Sequence, residues 1–405
     1  MKYVLVIGDG MADTALEELD GKTPLESLEL PYFDTLAGSC LGSAQTVPGG
    51  VAPGSDTAIL NIFGYDPRQY YTGRSVLEAA GVGVMLEEGQ VSFRVNLCNV
   101  EDGIIHSHNG GNVEGDDAEE LMKALVNDPE FSAAAEKIGL KIHISRTFRH
   151  IGVINTNADC AFTLTEPHNI LEKEIKPYMP KGAFSDELTE IMLISHKVLS
   201  QHPVNQARRE RGELAANMIW PWGPGRAARL DSFLKKYSHS GDVISAVPLV
   251  WGIAALAGLN TPKVEGANGD VDTNYEGKVN AALEALKRGD DFAAIHIEAP
   301  DEMSHAGKLD RKLEAITCID RRVIRPLLER LPLIDSDFRI LLLSDHPTLM
   351  TTRTHDGHAV PFAVYDSRHP GAPKKFDEKH AREGIFLNNG DLLMPFLFEI
   401  ENVMQ

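Results

Sequence analysis

A small set of side chains in this sequence could hold metal ions or attack an electrophile, and they recur in one kind of place. Asp9 follows the apolar run Tyr3–Ile7, Asp301 and His305 follow Phe292–Ile297, and Asp345 and His346 follow Phe338–Leu343. A further histidine, His355 or His358, precedes the apolar run Pro361–Tyr365. Carboxylate and imidazole donors together suit divalent first-row ions. Asp301 and His305 stand four residues apart, so on a helix they share a face and can bind one ion. Taken singly, each has a plainer reading as a helix cap beside an unrelated histidine. Their common placement points instead to two divalent metals with Asp, His and Ser ligands.

Ser55 is the candidate nucleophile. In Ala52-Pro53-Gly54-Ser55-Asp56-Thr57-Ala58, Pro53 and Gly54 break the chain, and Ala58–Phe63 reads as a short helix stopped by Gly64. A serine at a helix start is either an N-cap or a hydroxyl facing the positive end of the helix dipole. No Gly-x-Ser-x-Gly elbow surrounds it, so its activation would have to come from metal rather than from a triad. Arg74, in Gly73-Arg74-Ser75, is either a phosphate clamp or a surface charge.

The elements that must position these groups are continuous apolar strands of the kind found in parallel sheets, whose ligands gather at the carboxyl ends. Gly8-Asp9-Gly10-Met11-Ala12-Asp13 nearly spells a dinucleotide fingerprint, but Asp13 replaces the third glycine and Asp9 would face a pyrophosphate. Gly21-Lys22-Thr23 lacks the leading glycine of a P-loop, since Leu16 stands there. Nucleotide chemistry is therefore not indicated.

Composition bounds the rest. The chain has 405 residues, 43% hydrophobic and 24% charged, enough for two domains. A net charge of −20 argues against nucleic acid or anionic membrane as partners, and no apolar run is long enough to span a bilayer. Cys40, Cys98, Cys160 and Cys318 are scattered without metal-knuckle or disulfide spacing, and a cytoplasmic location is expected. From about residue 91 to 229 the pattern changes. Strands Val91–Val95, Ile142–Ile144 and His150–Ile154 alternate with helices such as Ala118–Val126 and Glu187–Leu199, as in an inserted α/β unit. Arg208-Arg209-Glu210-Arg211 reads as a solvated helix face, and Trp220–Arg226 as a domain junction or pocket wall. Leu313, Ile316, Ile319, Val323 and Leu327 mark one long core-packed helix.

Over nearly its whole length the chain resembles the alkaline phosphatase superfamily and, within it, the archaeal-type, cofactor-independent (metal-dependent) phosphoglycerate mutases. The matching stretches are Gly8-Asp9-Gly10-Met11, Pro53-Gly54-Ser55-Asp56, Gly64-Tyr65-Asp66-Pro67 and Gly73-Arg74. Asp272–Lys278, Glu298-Ala299-Pro300-Asp301-Glu302 with His305, Asp345-His346, and His355 six residues before Pro361 complete them. The resemblance implies an α/β fold: an alkaline-phosphatase-like core (1–90 and 230–405) with a mainly parallel sheet flanked by helices, and a smaller inserted α/β substrate domain (91–229). It implies one metal on Asp9, Ser55, Asp345 and His346 and another on Asp301, His305 and His355, with His355 preferred to His358. Manganese is the expected ion, with zinc, magnesium or cobalt as alternatives, and no 2,3-bisphosphoglycerate is required. The implied reaction interconverts 3- and 2-phosphoglycerate through a phosphoserine at Ser55, with water excluded by closure of the inserted domain. Arg74, Arg149, Arg211, Arg226 and Lys278 are the expected contacts to this small phosphorylated substrate.

The sequence departs from the pattern in places. His106-Ser107-His108-Asn109-Gly110-Gly111 stands where many archaeal-type mutases carry an Asp-Arg-rich stretch ending in Ala-Gly-Arg, Pro248 replaces an Asp, and Asn268 a Thr. None is a ligand position, so these departures bear on the substrate. The alternatives are a homoserine-kinase-like phosphotransferase and a metal-dependent phosphatase. A member that binds metal and serves only as an interaction module is a third reading, opposed by the intact ligand set.

Overall fold

The computed structural model describes residues 1–156 and 161–400. Cys160 lies outside them, and Cys40, Cys98 and Cys318 are free thiols. The chain divides into two compact units, Met1–Tyr71 with Arg229–Gln405, and Thr72–Ala228.

The first unit is built on seven strands in the spatial order Gly241–Ile244, Phe292–Ile297, Lys2–Gly8, Phe338–Leu343, Val360–Asp366, Cys40–Ala44, Ile385–Leu387. Only Val360–Asp366 runs against the others. The central strands are apolar at every position because helices cover both faces. Val4, Val6, Ile295, Ile340 and Leu342 enter a cluster with Phe33, Leu36, Val279, Leu283, Ile316 and Leu327 from flanking helices. The alternate residues Leu5 and Leu341, aligned in register, are equally buried. Three adjacent parallel strands, Phe292–Ile297, Lys2–Gly8 and Phe338–Leu343, thus deliver their carboxyl ends side by side.

The long helix expected around residues 313–327 is interrupted. An α-helix over Leu309–Cys318 passes through a π-turn at Ile319–Ile324 into a second α-helix, Arg325–Arg330, with Pro326 in its first turn. Ile316, Ile319, Val323 and Leu327 are buried, whereas Leu313 is only partly so and its neighbour Lys312 is fully buried.

In the second unit the sheet is antiparallel throughout, ordered Lys141–His143, Arg149–Asn155, Gln90–Glu101, Ile104–Ser107, Lys173–Glu174, with Met218–Arg226 also paired to Gln90–Glu101. Helices Gly115–Val126, Pro129–Lys137 and Ser185–Ser200 cover it through Leu121, Leu125, Phe131, Leu188 and Ile191, against Phe93, Val95 and Leu97. Trp220–Arg226 is thus strand, and it ends just before the division between the units at Ala228 and Arg229. Helix Arg74–Gly81 also belongs to this unit, which places its start at Thr72 where the sequence suggested residue 91. The reason is local: the buried Ser75 hydroxyl donates to the Ser92 carbonyl at 3.1 Å, and Glu78 pairs with Arg94 at 2.8 Å.

Candidate metal centre

Strand ends and one helix start bring the chemistry-bearing residues together in the first unit. Asp9 follows Lys2–Gly8, and Asp345 and His346 follow Phe338–Leu343. Asp301 and His305 ride on helix Ala299–His305 beyond Phe292–Ile297. His355 sits on a two-stranded ribbon in which Thr348–Leu349 pairs with Thr354–His355. His358 is exposed and hydrogen-bonds Asp356, whereas His355 is the one that lies near Asp301 and His305.

Ser55 opens helix Ser55–Ile62, but the N-cap is Gly54 and no side chain caps this end. The Ser55 hydroxyl instead lies 3.4 Å from Asp9 Oδ2 and 3.1 Å from His346 Nε2. His346 Nε2 is also 3.3 Å from Asp345 Oδ2 and 3.7 Å from Asp9 Oδ1. On the other side, His305 Nε2 lies 3.2 Å from Asp301 Oδ2 and 2.9 Å from His355 Nε2, and His355 Nε2 is 3.5 Å from Asp301 Oδ1. Ligand atoms of Asp301, His305 and His355 fall within 4.8 Å of one another, as do those of Asp9, Asp301 and His346. Asp301 is thus within reach of both groups.

The electrostatics fit cations. Asp9 is pushed well above the usual carboxylate range by burial, reinforced by the nearby Asp345, Asp301 and Glu298 charges. Buried like charges of this kind are costly unless a cation neutralises them. Asp9 Oδ1 and Asp345 Oδ2 are buried without a hydrogen-bond partner, which leaves acceptor capacity for a metal. Burial would also raise Asp301, but hydrogen bonds from His305 and His355 hold it well below the usual range. Its hydrogen bond lifts His305 to about 9. Burial lowers His346.

Supporting residues gave no signal in the sequence. His296 Nε2 lies 3.0 Å from Asp9 Oδ2, and its Nδ1 3.1 Å from Ser245 Oγ. Burial, with Lys278 nearby, lowers His296 to about 3, so the ring is neutral. Val247 N–H donates to Ser245 Oγ, which leaves the hydroxyl proton for Nδ1 and puts the ring proton on Nε2, facing Asp9. His305 Nδ1 meets the Arg353 carbonyl at 2.8 Å, which orients its Nε2 inward. Thr348 completes the set, its hydroxyl donating to Asp301 Oδ1. Histidines and hydroxyls so remote in sequence can be paired only once the sheet is assembled.

The expected substrate contacts are dispersed. Lys278 is buried in the first unit, its ammonium donating to the His296 carbonyl at 3.1 Å, and burial lowers it to about 8. In the second unit Arg74 Nε lies 3.0 Å from Glu78 Oε1, and the charge of Arg149 also acts on Glu78. Arg149 lies over the Phe148 ring at 4.9 Å. Arg211 is exposed and pairs with Glu213 at 2.9 Å and Asp117 at 3.3 Å. Arg226 ends strand Met218–Arg226, its backbone N–H bonded to the Thr72 carbonyl. Sequence reasoning missed Arg94, which is buried over the Trp222 ring at 4.0 Å.

Residues 37–205 match a family described as 2,3-bisphosphoglycerate-independent phosphoglycerate mutase. A protein of Geobacter sulfurreducens named as a probable mutase of this kind is 41% identical, with 98% of this chain and all of that protein aligned. A Methanosarcina mazei protein named as such a mutase is 42% identical over 95% of this chain and 96% of its own length. Among solved structures, a Pyrococcus horikoshii protein superposes with a TM-score of 0.81 at 28% identity, over 100% of this chain and 98% of its own. A cofactor-independent phosphoglycerate mutase from Thermoplasma acidophilum shares the fold with a TM-score of 0.64 at 23% identity, over 99% of this chain and 100% of its own. With the strand-end carboxylates and histidines in place and relatives matched end to end, the chain belongs to the 2,3-bisphosphoglycerate-independent phosphoglycerate mutase family.

Proposed function

We propose that this protein interconverts 3-phosphoglycerate and 2-phosphoglycerate through a phosphoserine at Ser55. The observation that carries the reading is the Ser55 hydroxyl at a helix start, 3.1 Å from His346 Nε2 and 3.4 Å from Asp9 Oδ2 rather than engaged as a cap. Two divalent ions, manganese first among candidates, would be held by Asp9, Ser55, Asp345 and His346 and by Asp301, His305 and His355, supplying Lewis-acid stabilisation and a lowered serine pKa.

The residues themselves do the rest. Ser55 has one hydroxyl proton, directed to either Asp9 Oδ2 or His346 Nε2, which leaves the oxygen lone pairs for the substrate phosphorus. The Oγ–P bond forms as the ester P–O bond breaks, and the proton that Ser55 gives up passes to the departing glycerate oxygen. The retained glycerate then presents its other hydroxyl, whose oxygen takes the phosphoryl group as the Oγ–P bond breaks, its proton returning to Ser55 Oγ. Arg74, Arg149, Arg211 and Arg226 are the cations for the substrate carboxylate and phosphate, and Lys278, fully buried at the His296 carbonyl, is a supporting charge behind His296. The unit Thr72–Ala228 forms the substrate domain in this reading, and the enzyme works in the cytoplasm without 2,3-bisphosphoglycerate. No helix among the described residues is long and apolar enough to cross a membrane.

One observation favours a second reading. The His106–Gly111 stretch departs from the Asp-Arg-rich stretch of archaeal-type mutases, which bears on the substrate, and the alternative is a homoserine-kinase-like phosphotransferase although no nucleotide motif stands in the sequence. Phosphorus NMR of the protein with manganese and 3-phosphoglycerate, then with homoserine and ATP, separates the two. Isomer with little free phosphate supports the mutase. Inertness towards 3-phosphoglycerate under every divalent ion refutes it.

A further inference from the structure

Thr348 is fully buried at the start of the ribbon that carries His355. Its single hydroxyl lies 2.5 Å from Asp301 Oδ1 and 3.2 Å from His346 Nδ1. An ionised carboxylate only accepts, so the hydroxyl proton goes to Asp301. The oxygen lone pair is then the acceptor for a proton on His346 Nδ1. A neutral imidazole protonated at Nδ1 has its free lone pair at Nε2. That is the atom facing Ser55 at 3.1 Å, Asp345 at 3.3 Å and Asp9 at 3.7 Å.

The rest of the fold holds this hydroxyl in place. The Thr348 amide donates to the Ala12 carbonyl at 3.1 Å. The Thr348 carbonyl accepts from Lys312 Nζ at 2.8 Å, and the same ammonium pairs with Asp13 at 2.8 Å, both side chains fully buried. Gly10 opposite has φ +61°, and a Cβ there would lie 2.5 Å from Thr348 Oγ1 and 2.7 Å from Asp301 Oδ1. The chain therefore leaves room for this hydroxyl by withholding a side chain.

We propose that Thr348 is a positioning residue that joins the two ligand groups, fixing the Nδ1–H tautomer of His346 and orienting Asp301 through one hydroxyl. The inference rests on the reading of these groups as metal ligands. Removing the hydroxyl then weakens both groups together, by the 10- to 100-fold typical of lost outer-shell partners.

The test uses the full chain. Manganese binding is titrated calorimetrically in wild type, Thr348→Val and Thr348→Ser, and nitrogen-15 spectra of the metal-free proteins report the His346 tautomer, assigned by difference from His346→Gln. The expected result is an Nδ1–H His346 in wild type and Thr348→Ser, a mixture in Thr348→Val, and about 10- to 100-fold weaker manganese binding only in Thr348→Val. An Nε2–H tautomer in wild type overturns the proposal even if Thr348→Val fails to fold. So does manganese binding in Thr348→Val equal to wild type. Wild type that binds no manganese yet shows the Nδ1–H tautomer would defeat the metal reading while leaving the hydroxyl's tautomer role standing.

Discussion

Glu378→Gln should stabilise the protein above neutral pH and leave it unchanged near pH 4. Glu378 is buried, with Oε1 accepting the Asp13 amide at 3.2 Å and Oε2 accepting the Thr23 hydroxyl at 2.5 Å. Burial outweighs these bonds and raises the carboxyl from its ordinary 4.5 to about 7. A carboxyl that holds its proton more tightly when folded makes the native state bind more protons than the unfolded chain between those values. Stability therefore falls as pH rises from about 4.5 to about 7, and the full cost is present above it. At 1.36 kcal/mol per pH unit, that gap is worth about 3 kcal/mol as an upper bound. Glutamine keeps the acceptor for the Asp13 amide and offers its NH₂ to the Thr23 oxygen, so the shape and both contacts survive without the charge. Urea unfolding at intervals from pH 4 to pH 8 is the assay. The variant midpoint should match wild type at the acid end, exceed it progressively from about pH 4.5 to about 7, and keep a constant lead above that. A variant curve parallel to wild type at every pH would refute the reasoning, because the penalty would then not be the ionised carboxylate.

Other outcomes follow from the same geometry. Ser55→Ala should abolish isomerisation while circular dichroism stays native and manganese still binds the Asp301, His305 and His355 group, read by calorimetry. Lys312→Met should cost roughly 3–5 kcal/mol in urea unfolding by stranding a buried Asp13 charge, and adding Asp13→Leu should recover most of it. Chelation should remove activity and manganese restore it, with elemental analysis showing the ion returning alongside turnover. Arg149→Ala should raise KM for 3-phosphoglycerate and the ratio of free phosphate to isomer, both followed by phosphorus NMR.

The grouping of strand-end carboxylates and histidines was legible in the sequence because buried parallel strands announce themselves as apolar runs, and Asp9, Asp301 and Asp345-His346 come within four residues of their ends. The choice between His355 and His358 was not readable from the strand pattern alone, since both precede Pro361 and a two-residue ribbon has no periodicity to mark it. Thr348, His296 and Ser245 were invisible for a different reason. Their partners lie far away in sequence, and threonine, histidine and serine in apolar surroundings look like ordinary core polar residues. The start of the second unit was misplaced because Arg74–Gly81 reads as an ordinary amphipathic helix, and only the Ser75–Ser92 and Glu78–Arg94 contacts show which sheet it joins.

The π-turn at Ile319–Ile324 has a consequence for insertions and deletions. Before it, Lys312 reaches Asp13 and Thr348; within it, Asp320 accepts the amides of Tyr32 and Phe33 at 3.0 and 2.9 Å; after it, Leu327 enters the core. Deleting one residue here would remove the bulge and restore regular α-helical pairing with both halves near their present faces, whereas deleting one between Lys312 and Cys318, in the regular α-helix, would rotate the halves by about 100° against each other. Lys312 would then lose its partners or Leu327 would leave the core. A loop can gain or shed a residue at little cost, whereas this segment ties the reading frame of the helix to the geometry of the candidate metal centre.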